Sequence, residues 1–236
     1  MSKAFTLFTD GSSRGNPGPG GWAFIVVKPT GEVVEGGGGE DKTTNNRMEM
    51  TGIIEALQSI KGATEPITIY TDSSYVVNGI TKWVKGWQKN NWLTSTKEGV
   101  LNRDLWERLV EVVDSFSQKI SWQVIAGHSG IAGNERVDEI ATAYADKEII
   151  SLYDGELVDY PVDVFNLSED IEKKTTKSNK KDRRPAYSYV SLVDGVVAVD
   201  KSWAECEKRV KGKKAARFKK VFSDIEEKAL IAEWQK

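Results

Sequence analysis

The chain has 236 residues, of which 39% are hydrophobic and 29% charged, and its formal net charge is −2. This length allows one large or two modest domains with a proper core, and the small net charge argues against a generic binder of polyanions. The sequence has no run of about 18 apolar residues, which excludes a membrane span, and its one cysteine, Cys206, excludes an internal disulfide and predicts a cytoplasmic protein.

The first 150 residues alternate between strand-like and helix-like patterns. Strands are predicted at residues 4–9, 22–28, 32–36, 66–71 and 119–126, and helices at 44–60, 74–85, 103–116 and 134–147. Pro29-Thr30-Gly31 is predicted to be a tight turn that joins the second and third strands as an antiparallel pair. Three strands before the first helix, followed by alternating helices and strands, predict an α/β fold with a mixed five-stranded sheet and flanking helices.

The pattern changes after residue 150. Acidic residues and then a charge run without an apolar face predict a linker over residues 151–184. Residues 185–236 predict a small α+β domain, with strands at 187–193, 196–199 and 216–222, a helix that begins after Ser202 and a helix over 224–234. The predicted domains are therefore 1–150 and 185–236, joined by the linker.

Charge is distributed unevenly along the chain. Residues 1–150 carry 15 Lys and Arg against 19 Asp and Glu, a net charge of −4, whereas residues 185–236 carry 11 against 8, a net charge of +3. An acidic first part can bind nucleic acid when divalent cations and a local basic patch offset its carboxylates. Lys residues are interleaved with Trp83, Trp87 and Trp92 over residues 82–92. Such a mixture of basic and aromatic residues is typical of a segment that binds a nucleic-acid strand.

Four acids have positions that suit catalysis. Asp10 and Asp72 each follow an apolar strand, and Glu49 and Asp138 fall in the first turns of helices. Ligands of open α/β sheets lie beyond the carboxyl ends of the parallel strands, where Asp10 and Asp72 should lie. Carboxylate oxygens suit Mg²⁺, and two such ions can activate water and stabilise the leaving oxygen of a phosphodiester. The five glycines in residues 11–21 are expected to leave room for a phosphate beside Asp10.

The only histidine, His128, lies in a glycine-flanked loop ten residues before Asp138. From this loop it could reach the edge of an acidic site while staying mobile. An imidazole titrates near neutral pH, so it suits proton transfer to or from water or a leaving group. The sequence therefore predicts a catalytic role for His128.

The acids and the histidine fall within four ordered motifs. These are Thr-Asp-Gly-Ser-x-x-Gly-Asn-Pro-Gly-Pro-Gly-Gly, Thr-Asn-Asn-Arg-Met-Glu, Tyr-Thr-Asp-Ser and Gly-His-Ser-Gly-x-x-Gly-Asn-Glu-x-x-Asp. In this order they resemble type 1 ribonuclease H, over about residues 4–147. The resemblance implies an endonuclease that hydrolyses the RNA strand of RNA/DNA hybrids with two Mg²⁺ ions, for which Mn²⁺ could substitute, and leaves 5′-phosphate and 3′-hydroxyl ends. It implies a metal site of Asp10, Glu49, Asp72 and Asp138, with His128 as the mobile catalytic histidine.

The same resemblance implies contacts to the hybrid. Positions that match family contacts to RNA 2′-hydroxyls and the minor groove are Ser13, Gly15, Asn16, Asn45, Asn46, Ser74, Ser95 and Asn102. Positions that match a DNA phosphate site are Lys42, Thr44 and Asn102, where Lys42 replaces an arginine of some relatives. The aromatic channel for the DNA strand matches Tyr75, Trp83 and Trp87. Because the 2′-hydroxyl distinguishes RNA from DNA, such polar side chains would read the sugar rather than the base sequence.

The tail has a second likeness. Trp203-Ala204-Glu205-Cys206, Val210-Lys211-Gly212 and Ala215-Ala216-Arg217-Phe218-Lys219-Lys220 resemble the viroplasmin-like, hybrid-binding domain attached to many of these enzymes. The resemblance implies that the rings of Trp203 and Phe218 contact sugars and that Lys219 and Lys220 contact phosphates. Two features depart from the family: the module usually precedes the nuclease, and its first strand is usually more basic than residues 189–193. Such a tethered module would raise the local concentration of hybrid at the nuclease.

Two other functions are compatible with parts of the sequence. A hybrid-binding protein that no longer cuts would not need all four acids, which are present. A transposase or integrase that acts on DNA would lack the Thr-Asn-Asn-Arg-Met-Glu segment with its sugar-reading residues. The expected partner is thus an RNA/DNA hybrid duplex, with no membrane, and the chain is expected to be a monomer.

Overall fold

The computed structural model describes residues 4–127, 130–167, 186–193, 195–213 and 216–234, with only the backbone of Ile225, Ala229 and Glu233. The chain divides into two compact units, Met1–Thr175 and Thr176–Lys236. Within the described ranges, every helix is too short or too polar to cross a membrane.

The described part of the first unit contains six strands and five α-helices, besides a 3-10 turn over Leu157–Asp159. The strands are β1 (Phe5–Ser13), β2 (Gly18–Val27), β3 (Glu32–Thr43), β4 (Ile67–Thr71), β5 (Ile120–Val124) and β6 (Asp154–Glu156). The helices are α1 (Asn45–Ser59), α2 (Ser74–Asn78), α3 (Val84–Lys89), α4 (Arg103–Asp114) and α5 (Ala132–Asp146). A π-helical turn over Gly79–Trp83 joins α2 to α3, so the helix predicted to end at residue 85 continues to Lys89.

The six strands form one mixed sheet in the order β5-β4-β1-β2-β3-β6. β1 pairs in parallel with β4 and antiparallel with β2, and β4 pairs in parallel with β5. The α/β fold with flanking helices is confirmed, but the predicted five strands are six. The additional strand, β6, pairs with the outer strand β3 and lies in the segment predicted to be a linker.

The glycine-rich segment is mostly strand rather than open loop. β1 continues past Asp10 to Ser13, which pairs with Gly20 of β2, so Asp10 lies within a strand and not at its mouth. A Cβ on Gly11 would lie 2.1 Å from the backbone nitrogen of Glu49, and one on Gly21 would lie 2.2 Å from the carbonyl oxygen of Ala141. These glycines therefore allow α1 and α5 to pack directly on the sheet backbone, which corrects their expected role as space for a phosphate.

Two apolar clusters cover the two faces of the sheet. Alternation along β1 sends Leu7 to the face under α1 and α4, where Ile54 and Trp106 are fully buried. Phe8 faces the other side, where Val137 of α5 is fully buried. Each such side chain contributes about 1.5–3 kcal/mol on burial, so α1, α4 and α5 are fixed on the sheet that carries Asp10.

The beginning of the predicted linker packs onto the first unit. Tyr160 and Val164 are 8% and 2% exposed and join the cluster under α5. The Tyr160 hydroxyl donates a 2.6 Å hydrogen bond to the buried carboxylate of Glu35 in β3, which Arg136 of α5 also binds. Residues 151–167 of the predicted linker therefore form a docked segment on the first unit, whereas residues 168–184 of that linker lie outside the described residues.

The second unit is a small α+β domain, as predicted. It contains β7 (Ser188–Val193), β8 (Val196–Asp200), α6 (Trp203–Val210), β9 (Arg217–Val221) and α7 (Asp224–Trp234). The strands form an antiparallel sheet in the order β8-β7-β9. The Ser202 hydroxyl caps α6 by accepting a hydrogen bond from the Glu205 N–H. Val190, Val221 and Leu230 form the core, whose small size limits the stability of the unit.

Candidate active site

Asp10 is the most buried of the four acids, with 7% of its surface exposed. Burial raises its pKa to about 8, together with the charges of Asp72, Asp138 and Glu49, while a 2.7 Å hydrogen bond from the Gly11 N–H acts in the opposite direction. Three other carboxylates are therefore close enough to Asp10 to repel its ionised form. The charges of the other three predicted acids act on Asp10, so the structure places them within electrostatic range of it.

Glu49 is held by two side chains. The Ser73 hydroxyl donates to its Oε2 atom, and the Asn45 amide donates to its Oε1 atom at 2.9 Å. Burial raises the pKa of Glu49, the Ser73 hydrogen bond lowers it, Asp72 raises it again, and the net shift is upward. Ser73 is itself 4% exposed and caps α2 by accepting a hydrogen bond from the Val76 N–H. The orientation of Glu49 is thus coupled to the chain segment that carries Asp72.

The remaining acids, Asp72 and Asp138, come from β4 and α5. Asp72 directly follows β4, the parallel neighbour of β1, as predicted. Asp138 and Glu49 lie in the second turns of α5 and α1 rather than in the first, because these helices begin at Ala132 and Asn45. A Cβ on Gly127 would lie 2.9 Å from the Asp72 Oδ2 atom, so the loop that leads to His128 starts beside the acids. His128 itself lies outside the described residues.

The oxygen donor set fits a hard divalent cation, and the repulsion that raises the pKa of Asp10 is of the kind that a cation relieves. Within the described ranges, however, no group of three or more His, Cys, Asp or Glu side chains is arranged so that it could hold a metal ion. The hydrogen bonds from Ser73 and Asn45 turn both oxygens of Glu49 toward protein donors. The metal site therefore stays a prediction, which requires these carboxylates to converge further.

Comparison with known proteins decides the family. A family model described as RNase H matches residues 2–146, which is more than half of the chain. The chain belongs to the RNase H family. The match includes all four acids and ends at the last residue of α5.

Relatives of known name support the assignment. A ribonuclease H from Cyanothece sp. is 49% identical over 141 residues, which cover 59% of this chain and 87% of that protein. A ribonuclease HI from Pseudomonas syringae pv. tomato is 48% identical over 147 residues, which cover 62% of this chain and 95% of that protein. The crystal structure of LC9-RNase H1, a type 1 RNase H with the type 2 active-site motif, is 30% identical with a TM-score of 0.56, and the alignment covers 67% of this chain and 81% of that one.

The predicted hybrid-reading residues of this RNase H lie at four places in the first unit. Ser13, Gly15 and Asn16 lie where β1 turns into β2, and Asn46 is exposed at the start of α1. Asn45 begins α1, and its amide donates to Glu49. The exposed Ser74 begins α2, and the exposed Ser95 lies in the loop that precedes α4.

The predicted phosphate site combines two helix starts. Thr44 precedes α1, and Asn102 precedes α4 with a left-handed backbone at φ 58°. Arg47 joins these helices through hydrogen bonds of 3.0 and 2.8 Å to the two carboxylate oxygens of Asp104. This fork sets the distance between the segments that carry Thr44 and Asn102, while Lys42 is exposed near the end of β3.

The predicted aromatic channel forms one cluster of rings. Tyr75 and Trp83 have ring centroids 6.2 Å apart, and Trp83 and Trp87 have centroids 5.8 Å apart. The buried Trp106 lies against both Tyr75 and Trp87, the two rings that contact the exposed Trp83. Trp92, which was predicted to join this surface, is 9% exposed and packs in the core.

The second unit presents its own aromatic surface. Trp203 lies 5.1 Å from Phe218 and 5.7 Å from Tyr189 between ring centroids, and Trp203 and Phe218 are 39% and 53% exposed. The register of β7 and β9 puts Phe218 opposite Ser191 and Lys220 opposite Tyr189, so these side chains share a face. Lys219 pairs with the buried Val190 and falls on the other face, so the structure separates it from the predicted contact surface.

Three residues beside the predicted sites were not identified from the sequence. Ser73 was visible only as a residue beside Asp72, and Gly127 only as a flank of the histidine loop. Tyr189 belongs to a strand whose face could not be assigned before its pairing was known. A serine that follows a strand-end acid and precedes a helix is a helix-cap signal, and that signal could have identified Ser73.

Proposed function

We propose that this protein hydrolyses the RNA strand of RNA/DNA hybrids with two Mg²⁺ ions held by Asp10, Glu49, Asp72 and Asp138, and leaves 5′-phosphate and 3′-hydroxyl ends. The chain belongs to the RNase H family, and over 141–147 residues it is 48–49% identical to proteins named ribonuclease H or HI. The observation that carries the proposal is the electrostatic coupling of the buried Asp10 to the other three carboxylates. Enzymes of this family use divalent metal ions, and the oxygen-only donor set favours Mg²⁺ over softer metals.

When bound, such ions would supply charge for an attacking water and for the leaving oxygen of a phosphodiester. The residues of the chain would hold the carboxylates in position. Asp10 is fixed by its strand and by the Gly11 N–H, and Glu49 by Ser73 and Asn45. His128 is proposed to move a proton to or from water or the leaving group, from the loop that begins beside Asp72.

Recognition is proposed to depend on hydrogen bonds to ribose and on ring contacts to the other strand. The polar side chains at the turn after β1 and at the starts of α1, α2 and α4 would accept or donate at 2′-hydroxyls. The DNA strand would lie along Tyr75, Trp83 and Trp87, with a phosphate between Lys42, Thr44 and Asn102. These assignments are supported by the clustering of the rings and by the Arg47 fork.

The second unit is proposed to be a hybrid-binding domain, tethered to a nuclease domain that begins near residue 1 and ends after the docked segment around Val164. Exposed Trp203 and Phe218 beside Lys220 support a surface for rings on sugar and a cation on phosphate. The protein is further proposed to be a monomer in the cytoplasm. The buried thiol of Cys206, which forms no disulfide, fits a reducing compartment.

Cleavage of labelled duplexes tests the nuclease assignment. The full chain is incubated with Mg²⁺ and an RNA/DNA hybrid, beside duplex DNA and duplex RNA. The proposal expects cleavage of the RNA strand of the hybrid alone, 5′-phosphate products, and loss of cleavage in Asp10→Asn with hybrid binding retained. Binding of hybrid without cleavage by the wild-type chain would favour the second candidate, a catalytically silent hybrid-binding protein.

Full-length variants test the second unit. Trp203→Ala and Phe218→Ala should raise KM for hybrid several-fold and leave kcat nearly unchanged, because they remove ring contacts made before chemistry. Val196→Ala is the matched control, since Val196 is another exposed apolar residue of the same small unit. Equal KM values in all three variants would mean that this surface serves something else.

A further inference from the structure

The turn between β1 and β2 has few contacts of its own. Its residues 14–17 are exposed, and Gly15 has a positive φ of 101°. One backbone hydrogen bond of 2.7 Å closes the turn, from the Arg14 N–H to the Pro19 carbonyl. Residues on either side of Arg14, namely Ser13, Gly15 and Asn16, are those proposed above to contact RNA. A turn this exposed needs a tether if these groups are to keep a fixed place.

The Arg14 side chain supplies such a tether. Its guanidinium spans both carboxylate oxygens of Asp146, the last residue of α5, with Nε 2.5 Å from Oδ1 and Nη2 bonded to Oδ2. Two parallel bonds to one carboxylate fix direction as well as distance. The same helix carries Asp138 eight residues earlier, about 12 Å along its axis. The turn is thereby linked to the helix that carries one of the four acids.

We propose that Arg14 and Asp146 are positioning residues for hybrid recognition: their ion pair, the 14–146 clamp, holds the turn after β1 against α5 so that Ser13, Gly15 and Asn16 face the hybrid at a fixed distance from Asp138. This inference rests on the proposed function, since it presumes that these turn residues contact RNA. Both members lie within the RNase H match of residues 2–146.

Arg14 could instead bind a phosphate directly, and charge separates the two roles. Asp146 is 34% exposed and lies beside Arg14, so the pair has no net charge. If Arg14 contacted phosphate, removal of Asp146 would free its charge and strengthen binding. If the pair is a clamp, removal of either member weakens binding equally, and removal of both adds nothing.

The test is a double-mutant cycle in the full chain. Arg14→Ala, Asp146→Ala and the double variant are compared with wild type by the dissociation constant for hybrid in EDTA, and by KM and kcat with Mg²⁺. Each single variant should weaken binding and raise KM roughly three- to fivefold, as expected for one well-formed exposed ion pair, with kcat within about twofold. The double variant should match the single variants, and the reversed pair Arg14→Asp/Asp146→Arg should recover most of the loss.

The nearby pair Lys147–Asp41 provides the charge-matched control. Its Nζ and Oδ1 atoms lie 2.7 Å apart on exposed side chains, so Lys147→Ala and Asp41→Ala change the net charge equally without touching the turn. Lys147→Ala and Asp41→Ala should shift binding in opposite directions, as net charge requires. Additive effects of Arg14→Ala and Asp146→Ala, or tighter binding by Asp146→Ala, would overturn the clamp.

The two proposals fail separately. A wild-type chain that binds hybrid but does not cut it refutes the proposed function, while the binding cycle in EDTA still decides the clamp. A wild-type chain that cuts hybrid with unchanged binding in all the Arg14 and Asp146 variants refutes the clamp alone.

Discussion

Replacement of Arg136 by methionine tests whether a buried ion pair fixes helix α5 on the sheet. Arg136 binds both oxygens of Glu35 at 2.8 Å, and the Glu35 side chain has no exposed surface. The docked segment completes the cluster, since the Tyr153 N–H and the Tyr160 hydroxyl also donate to Glu35, at 2.9 and 2.6 Å. Arg136 in turn donates to the Ser151 carbonyl at 2.8 Å. A methionine side chain fills a similar volume but has no hydrogen-bond donor.

The loss is expected to be large at neutral pH. Removal of one member of a buried pair costs about 3–5 kcal/mol, because the other charge stays buried. Burial alone raises the pKa of Glu35, but the hydrogen bonds from Arg136, Tyr160 and Tyr153 outweigh it, and the pKa lies below its ordinary value. In wild type this group therefore stabilises the fold above its ordinary pKa and loses that contribution as pH falls. Without Arg136 the pKa should rise above the ordinary value, so the destabilisation should shrink as the pH is lowered toward about 4.

Urea unfolding of the full chain, followed by hydrogen exchange at β3 and α5, measures the effect. A loss of 3–5 kcal/mol should lower the urea midpoint of this unit by about 1–2 M at pH 7, and by less at pH 4. The matched control is Arg108→Met, whose pair with Glu55 is partly exposed and should be worth less than about 1 kcal/mol. Equal shifts in the two variants, or a shift for Arg136→Met that does not depend on pH, would refute the reasoning.

Three further variants test the site. Gly11→Ala puts a Cβ 2.1 Å from the Glu49 backbone nitrogen and should destabilise by about 1–3 kcal/mol or more, whereas Gly86→Ala, which meets nothing within 4 Å, should be neutral or stabilising in the same thermal unfolding assay. Ser73→Ala removes the hydroxyl that orients Glu49 and should raise the Mg²⁺ concentration for half-maximal cleavage roughly tenfold; an unchanged Mg²⁺ titration would exclude that role. Because the folded pKa of Asp10 is raised from 3.8 to about 8, the folded state binds the proton more tightly and the metal-free protein loses stability as pH rises between these values. Asp10→Asn should therefore exceed wild type in urea stability by at least about 2 kcal/mol near pH 8 in EDTA, with little difference below pH 4.

The sequence predicted elements and chemistry well where the signal is local. Apolar periodicity located the helices of both units and every described strand except β6, and Ser202 marked the start of α6. Local pattern failed where pairing decides the outcome. β1 extends to Ser13 because glycines of β2 can pair with it, and β6 forms because β3 offers an unpaired edge to a short polar segment. The sequence of β1 or of β6 alone does not show which strand it pairs with.

What the sequence alone determined is the set of acids, the elements that carry them and the family they indicate, because ordered motifs and periodicity are properties of a linear chain. What only the tertiary structure decided is which groups meet. Asp10 interacts with three carboxylates that are distant in sequence, and the Ser73 hydroxyl hydrogen-bonds to Glu49. Lys219 and Phe218 lie on opposite faces of their sheet. These arrangements depend on strand register and on close packing at glycine. A one-residue shift of a strand reverses every side chain, so no pattern within one segment could have fixed these contacts.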